Sequence, residues 1–181
     1  MENIIIKIKR ALGIYNEIEE LKKKGLVIGD NFSMQDQCII DGSHAWLIKI
    51  GSNVTLAPRT YILAHDASTK RELGYAKIGK VTIGDNVFVG ASSMILPGVT
   101  IGSNVIIGAG SVVSKNIPDN SVAIGSPAKV IKSYDSYIDF NKNKLKESPK
   151  YDYSYTLGGG ITEQKKEKMQ KDLEGIIGYV E

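Results

Sequence analysis

An apolar residue recurs at every sixth position through the middle of this chain. From residue 83 to residue 113 these positions hold isoleucine or valine, and a small or β-branched residue follows each of them four places later. The two series are Ile83, Val89, Ile95, Ile101, Ile107 and Val113, and Val87, Ser93, Val99, Val105, Ser111 and Ile117. Neither an α-helix nor an alternating strand predicts a period of six. It is typical of a parallel β-helix built from hexapeptides.

A longer repeat divides the same region into coils. The motif Ile-Gly-Asp/Ser-Asn begins at Ile28, Ile50, Ile83 and Ile101, and the last two copies are separated by three hexapeptides. Three hexapeptides, each one short strand and one corner, therefore make one triangular coil. Glycine, asparagine and aspartate adopt left-handed backbone angles at little cost, so we expect them at the corners. The sequence predicts an all-β fold whose coils stack at the strand spacing of ~4.8 Å.

Two of the coils contain insertions. The interval between motif copies exceeds three hexapeptides by four positions from Ile28 to Ile50, and by fifteen positions from Ile50 to Ile83. The shorter insertion falls around residues 42–47, and the longer one falls over residues 66–80. Insertions in a solenoid project outward as loops, and such loops commonly form the binding face.

Both histidines of the chain lie beside these insertions. The offset of His44 from the start of its coil at Ile28 differs by a single position from the offset of His65 from Ile50. They are therefore predicted at nearly the same corner of adjacent coils. This juxtaposition makes them a candidate active site.

Composition excludes several classes of function. The formal net charge is +3, from 23 basic and 20 acidic residues, and no basic cluster has interleaved aromatic residues, so no nucleic-acid partner is expected. The single cysteine, Cys38, excludes an internal disulfide and is predicted to lie in the core. The chain has no apolar run of the roughly 18 residues that a membrane span needs, and no signal peptide is seen, so we expect a cytoplasmic protein.

Three segments are predicted. Residues 1–25 form an amphipathic helix that caps the open end of the prism, with attachment to a membrane surface as the less favoured alternative. Residues 26–132 form the β-helix, including the 66–80 loop. Residues 133–181 form a partly helical extension, in which Thr162 is the predicted N-cap of a helix that runs to Ile177.

Several motifs resemble the hexapeptide-repeat acyltransferases. They are Ala64-His65-Asp66 and the stretches 83–91, 95–102, 107–118 and 125–131. The resemblance covers about residues 28–132 and is nearest to the galactoside/maltose O-acetyltransferase branch and its polysaccharide-modifying relatives. It implies a left-handed β-helix, a homotrimer with active sites between subunits, and acetyl-CoA as the acyl donor.

The resemblance also implies roles for individual residues. His65 falls on the family's catalytic histidine, and Phe88 falls where a relative has tryptophan, as an apolar wall near the thioester. Further residues are implied to contact coenzyme A. Backbone groups of Ala91 and Ala109 line the pantetheine, and Ser114 and Lys115 lie beside the coenzyme A arm. Lys129 and Lys132 lie near the nucleotide phosphates.

The short insertion has no counterpart in that branch, so its residues are expected to bind the acceptor. His44 either orients the acceptor or caps a turn. Asp41 either hydrogen-bonds to a sugar hydroxyl or to His44, or is a corner aspartate. Trp46 either stacks on a sugar ring or anchors the loop. Tyr75, in the long loop, is a further acceptor-binding candidate, and Asp66 is a less favoured candidate for orienting an imidazole.

The predicted activity is acetyl-CoA-dependent O-acetylation of a sugar or glycan hydroxyl, by direct attack with His65 as general base. The alternatives are an N-acetyltransferase acting on a nucleotide-linked amino sugar and a trimeric scaffold with a vestigial groove. A zinc carbonic anhydrase needs three histidine ligands, which two histidines per chain supply only in an unusual arrangement. No metal cofactor is therefore expected.

Overall fold

The computed structural model describes residues 17–181, which divide into two compact units at a boundary after Tyr134. Helix α1 runs from Glu17 to Lys23, and its Leu21 belongs to the buried core of the first unit. The expected capping helix runs to residue 25, whereas Lys24 and Gly25 form a turn; residues 1–16, including the basic residues that suggested a membrane anchor, lie outside the described residues. Within residues 17–181, every helix is too short or too polar to cross a bilayer.

The first unit is built from very short strands. In chain order they are β1 (Val27–Ile28), β2 (Ser33–Met34), β3 (Ile39–Ile40), β4 (Ile48–Ile50), β5 (Thr55–Leu56), β6 (Tyr61–Ile62), β7 (His65–Asp66), β8 (Lys77–Ile78), β9 (Val81–Ile83), β10 (Val87–Val89), β11 (Met94–Ile95), β12 (Thr100–Ile101), β13 (Val105–Ile107), β14 (Val112–Val113), β15 (Ser121–Ile124) and β16 (Lys129–Ser133).

Parallel pairing of these strands builds the three faces of a left-handed parallel β-helix, as predicted. Face A consists of β1, β4, β9 and β12, face B of β2, β5, β10, β13 and β15, and face C of β3, β6, β11 and β14. The register advances by one coil at each step, so that Val27 lies beside Lys49 and Ile48 lies beside Val81. Strand β16 turns back and pairs with β15 in the antiparallel direction.

Side chains at the six-residue period fill the interior of the prism. All members of both series between residues 83 and 117 are buried, and Cys38 is buried with them. Each large aliphatic side chain contributes about 1.5–3 kcal/mol on full burial, so this column stabilises the fold. Ser93 and Ser111 are accommodated because their hydroxyls donate hydrogen bonds to the Gly108 carbonyl, at 3.0 and 2.6 Å.

A ladder of asparagine side chains runs along the edge between faces A and B. In each step Nδ2 of one asparagine donates to Oδ1 of the next at 3.0 Å. All members have φ between 53 and 57°, a conformation that asparagine tolerates. The ladder consists of Asn31, Asn53, Asn86, Asn104 and Asn120. Four of its members end the sequence motif, whereas Asn120 lies in a shortened last coil that the motif did not reveal.

The stabilising effect of the ladder can be measured at a central position. We expect Asn86→Ala to destabilise the protein by about 1–3 kcal/mol, because it removes two ladder hydrogen bonds and forces alanine into a left-handed conformation. Asn86→Gly removes the same bonds without the backbone strain, and is expected to cost less. Urea unfolding measures both. Equal stability of the two variants would show that asparagine's tolerance of positive φ is unimportant here.

The second unit contains two longer helices and a small sheet. Helix α3 runs over Tyr134–Glu147, α4 over Glu163–Asp172, and β17 (Lys150–Tyr151) pairs in parallel with β18 (Tyr179–Val180). Tyr151 is buried, and its hydroxyl donates to Asp172 Oδ2 at 3.2 Å. This contact links the sheet to the end of α4.

The N-terminus of α4 agrees with the prediction and its C-terminus does not. Thr162 is the N-cap, and its side chain accepts a hydrogen bond from the Lys165 N–H. The helix ends at Asp172 rather than at Ile177. Gly175 has φ of 74°, which an α-helix does not allow, and Ile177 is exposed.

Candidate active site

Both insertions lie on the edge between faces C and A, which we call the insertion edge. It comprises the turns at residues 41–47, 63–80, 96–99 and 114–117. The short insertion forms a 3₁₀-helix over Ala45–Leu47. The long one forms the antiparallel pair β7–β8, a 3₁₀-turn and helix α2 (Lys70–Leu73). His44 and His65 therefore lie on one edge, in adjacent coils.

The carboxylate of Asp41 is the buried centre of this site, with only 4% of its side chain exposed. Its Oδ1 accepts hydrogen bonds from Ser43 N at 3.1 Å and from Ser43 Oγ at 2.6 Å. Its Oδ2 accepts from Ala64 N at 3.1 Å and contacts Nδ1 of His65. Asp41 thus contacts Ser43 within its own turn, and it contacts Ala64 and His65 in the next coil.

These hydrogen bonds keep the Asp41 carboxylate ionised. Burial by itself raises the pKa of Asp41, but the hydrogen bonds from Ser43, His65 and the two backbone N–H groups outweigh it and lower the pKa to about 2. An ionised carboxylate only accepts, so the proton in this contact belongs to His65 Nδ1. In the neutral imidazole Nε2 then has a free lone pair, on a side chain that is 38% exposed.

Ser43 joins the two histidines to the same carboxylate. Its single hydroxyl proton is donated to Asp41, so towards His44 Nδ1, at 3.0 Å, its oxygen can only accept. His44 is therefore also protonated at Nδ1 when neutral, and its Nε2 is an acceptor. Ser43 Oγ lies 3.3 Å from His65 Nδ1 as well. No role was predicted for Ser43 from the sequence, although a serine two residues after an aspartate is a common turn arrangement.

Asp41, His44 and His65 also present potential metal-ligand atoms within 4.8 Å of one another. One carboxylate oxygen and the two Nδ1 atoms all contact the Ser43 hydroxyl, at 2.6, 3.0 and 3.3 Å. The Nδ1 atoms of both imidazoles thus face the Asp41–Ser43 pair, and their Nε2 atoms are the acceptors of the site.

The roles expected for the two aspartates change. Asp41 was predicted to hydrogen-bond to a sugar hydroxyl or to His44, or to be a corner aspartate. Its Oδ1 accepts from Ser43 in its own turn, as a corner aspartate does, and its Oδ2 contacts His65 and accepts from the Ala64 N–H. Asp66 was a candidate for orienting an imidazole, but it forms an ion pair with Lys77 at 2.5 Å, which lowers its pKa to about 2. Side chains of adjacent residues in a strand point to opposite sides, so the Asp66 side chain points away from the side on which His65 contacts Asp41.

Trp46 extends the site outward. The centroid of the His44 ring lies 5.1 Å from that of His65 and 5.3 Å from that of Trp46. The Trp46 side chain is anchored at its base, where a Cβ added to Gly25 would lie only 2.8 Å from Trp46 Cβ. Its residue is nevertheless 59% exposed. Tyr75 is 80% exposed in the long loop, where its carbonyl accepts from Thr69 Oγ1.

The residues expected to contact coenzyme A are distributed over the prism. Ser114 and Lys115 are exposed on the insertion edge, in the same stack of turns as His65. Ala91 and Ala109 lie at the edge between faces B and C, in successive coils. Lys129 and Lys132 are exposed on β16, beside face B.

Phe88 lies on the outer surface of face B. It lines a shallow cavity of about 270 Å³ together with Thr55, Ile106 and Tyr134. Face B is opposite the insertion edge in a three-sided prism, so one chain does not bring Phe88 or the two alanines beside its own His65. One chain assembles the Asp41–Ser43–His44–His65 cluster and Trp46, but not the complete predicted site.

Known proteins share the repeat of this chain. Residues 80–115 match the family model described as bacterial transferase hexapeptide (six repeats). Protein CapG of Staphylococcus aureus is 40% identical over 139 residues, which cover 74% of this chain and 78% of CapG. For several other curated relatives the match spans only 45–61% of their length.

Two solved structures are similar to the chain. A maltose O-acetyltransferase from Clostridium difficile 630 is 43% identical, with a TM-score of 0.53 and coverage of 60% of this chain and 59% of that one. The hexapeptide-repeat acetyltransferase VCA0836 of Vibrio cholerae O1 biovar eltor, complexed with acetyl coenzyme A, is 29% identical. Its TM-score is 0.54, and the match covers 61% of each chain.

Proposed function

Because this chain belongs to the hexapeptide-repeat acetyltransferases, we propose that it transfers the acetyl group of acetyl-CoA to a hydroxyl of a sugar or glycan, with His65 as general base. The observation that most supports the proposal is the contact between the ionised Asp41 carboxylate and His65 Nδ1. It leaves His65 Nε2 as a proton acceptor on the edge where both insertions project.

In this mechanism His65 Nε2 accepts the proton of the acceptor hydroxyl while that oxygen bonds to the thioester carbonyl carbon. The imidazolium that forms is stabilised by the Asp41 carboxylate. The carbon–sulfur bond then breaks, and His65 returns the proton to the departing sulfur. The products are an acetyl ester and coenzyme A, and His65 is neutral again. Asp41 stays ionised throughout and acts as a positioning residue.

The donor side of the proposal depends on assembly. A homotrimer brings face B and its edge with face C of one subunit towards the insertion edge of another, so Phe88, Ala91 and Ala109 of one subunit serve His65 of its neighbour. Ser114, Lys115, Lys129 and Lys132 contribute polar or positive groups for the coenzyme. The acetyl-CoA complex of the Vibrio relative supports this choice of donor, and the Clostridium relative supports a sugar hydroxyl as acceptor.

Donor binding and product chemistry test the proposal. At 100 times its Kd, acetyl-CoA should stabilise the protein by about 2.7 kcal/mol, or roughly 5–10 °C in Tm. Thiol release should then depend on an added sugar, and hydroxylamine should cleave the acetylated product because it is an ester. A hydroxylamine-resistant amide would instead identify an N-acetyltransferase. No thermal shift and no thiol release would indicate a scaffold.

A further inference from the structure

Three neighbouring rings, which we call the row, connect the proposed base to Trp46. His65 is followed by His44 and then by Trp46, with steps of 5.1 and 5.3 Å between neighbouring centroids. Each step is about the width of one sugar ring. Trp46 therefore adds one ring beyond the two histidines at which a single reacting sugar would lie.

We propose that the acceptor is a glycan of at least two linked sugars, with the reacting sugar against the two histidines and the next sugar on Trp46. The inference rests on the proposed function, because His65 marks where the reacting hydroxyl lies. It adds the size of the acceptor, and it makes His44 and Trp46 the residues that determine specificity.

The chemistry changes along the row in the order that such an acceptor needs. His44 donates its Nδ1 proton to Ser43 and presents Nε2 as an acceptor. It therefore suits a second hydroxyl of the reacting sugar. Trp46 presents an aromatic face, which suits the C–H face of a sugar, and its indole N–H can donate to a ring or hydroxyl oxygen.

Trp46 is also prepared for binding before a ligand arrives. Its base is held against Gly25, which has φ of 97° and leaves no space for a Cβ there. The 3₁₀-helix that contains it fixes the backbone, and the preceding Ala45 is fully buried. An exposed aromatic ring on a fixed backbone loses little conformational entropy on binding. This arrangement favours a binding platform over a loop anchor, whose ring would be buried.

Matched acceptor series test the length of the acceptor. The probes are glucose, maltose and maltotriose, and galactose and lactose, each with saturating acetyl-CoA and a thiol-release assay. We expect kcat/KM to rise about tenfold or more from the monosaccharide to the disaccharide in a series that is acetylated. A series in which the monosaccharide is the best acceptor overturns the inference while leaving the proposed function intact. Acetylation of no member of either series counts against both.

Substitution of Trp46 then assigns the effect to the row. Trp46→Ala should remove the advantage of the disaccharide, chiefly through KM. Trp46→Phe keeps a ring and should retain most of the advantage. Trp46→Ala that lowers kcat equally for every acceptor, or that changes the oligomeric state in light scattering, assigns Trp46 to packing between subunits and overturns the inference.

Discussion

His65→Ala is expected to lower kcat by at least ~10²-fold and to leave the affinity for acetyl-CoA nearly unchanged. The substitution removes the imidazole that Asp41 orients towards the acceptor, whereas the proposed donor contacts lie on other turns and on another face. Turnover with a responsive sugar acceptor measures the first effect. The thermal shift induced by acetyl-CoA measures the second.

His44→Ala is the matched control for that variant. It removes an imidazole of the same tautomer from the same edge, but not the one that contacts the Asp41 carboxylate. We expect it to raise the KM for the acceptor several-fold and to change kcat little. Full activity of His65→Ala combined with an inactive His44→Ala would assign the base to His44 instead.

The repeat makes most of the fold predictable from sequence. Each coil has the same three faces, so a period of six fixes which side chains point inward, and residues such as Ile83 and Val113 are buried accordingly. Departures from three hexapeptides per coil locate the insertions for the same reason. Where the period ends, the sequence is less informative. The end of α4 depends on the left-handed Gly175, and an N-cap residue alone gives no information about it.

The candidate site was only partly predictable. Counting along the coils brought His44 and His65 to one edge, but it could not show which acid meets which imidazole. Asp41 and His65 are 24 residues apart, so Asp41 is two positions out of register with His65 in a 22-residue coil. The contact depends on the turn at Ser43, which directs the carboxylate to the next coil. Phe88 and Ala91 could not be placed either, because their relation to His65 depends on a second subunit.

Asp41→Asn is expected to lower kcat by at least ~10²-fold, because the tautomer of His65 depends on an acceptor at that position. The protein groups that contact Asp41 are all hydrogen-bond donors, and an asparagine presents an acceptor oxygen to only one side of them. If its amide nitrogen faces His65 and the Ala64 N–H, this nitrogen donates to His65 Nδ1. The neutral imidazole then carries its proton on Nε2, which can no longer act as the base. If its oxygen faces them, the tautomer is kept, but the charge that stabilises the His65 imidazolium is lost and the amide nitrogen opposes the Ser43 N–H. The first orientation leaves the N–H of the fully buried Ala64 without an acceptor, at a cost of about 1–3 kcal/mol in stability.

Asp66→Asn is the appropriate control, because Asp66 also has a pKa lowered to about 2 but pairs with Lys77. It should retain kcat within a few-fold. Acid unfolding is a second measurement for Asp41→Asn. The folded pKa of Asp41 is below its unfolded value of about 3.9, so its contribution to stability is complete above about pH 4 and is lost as the pH falls through about 2. The stability gap between wild type and Asp41→Asn should therefore shrink over that interval. A gap that is independent of pH, together with wild-type kcat, would show that the native contacts neither lower the pKa of Asp41 nor make its carboxylate orient His65.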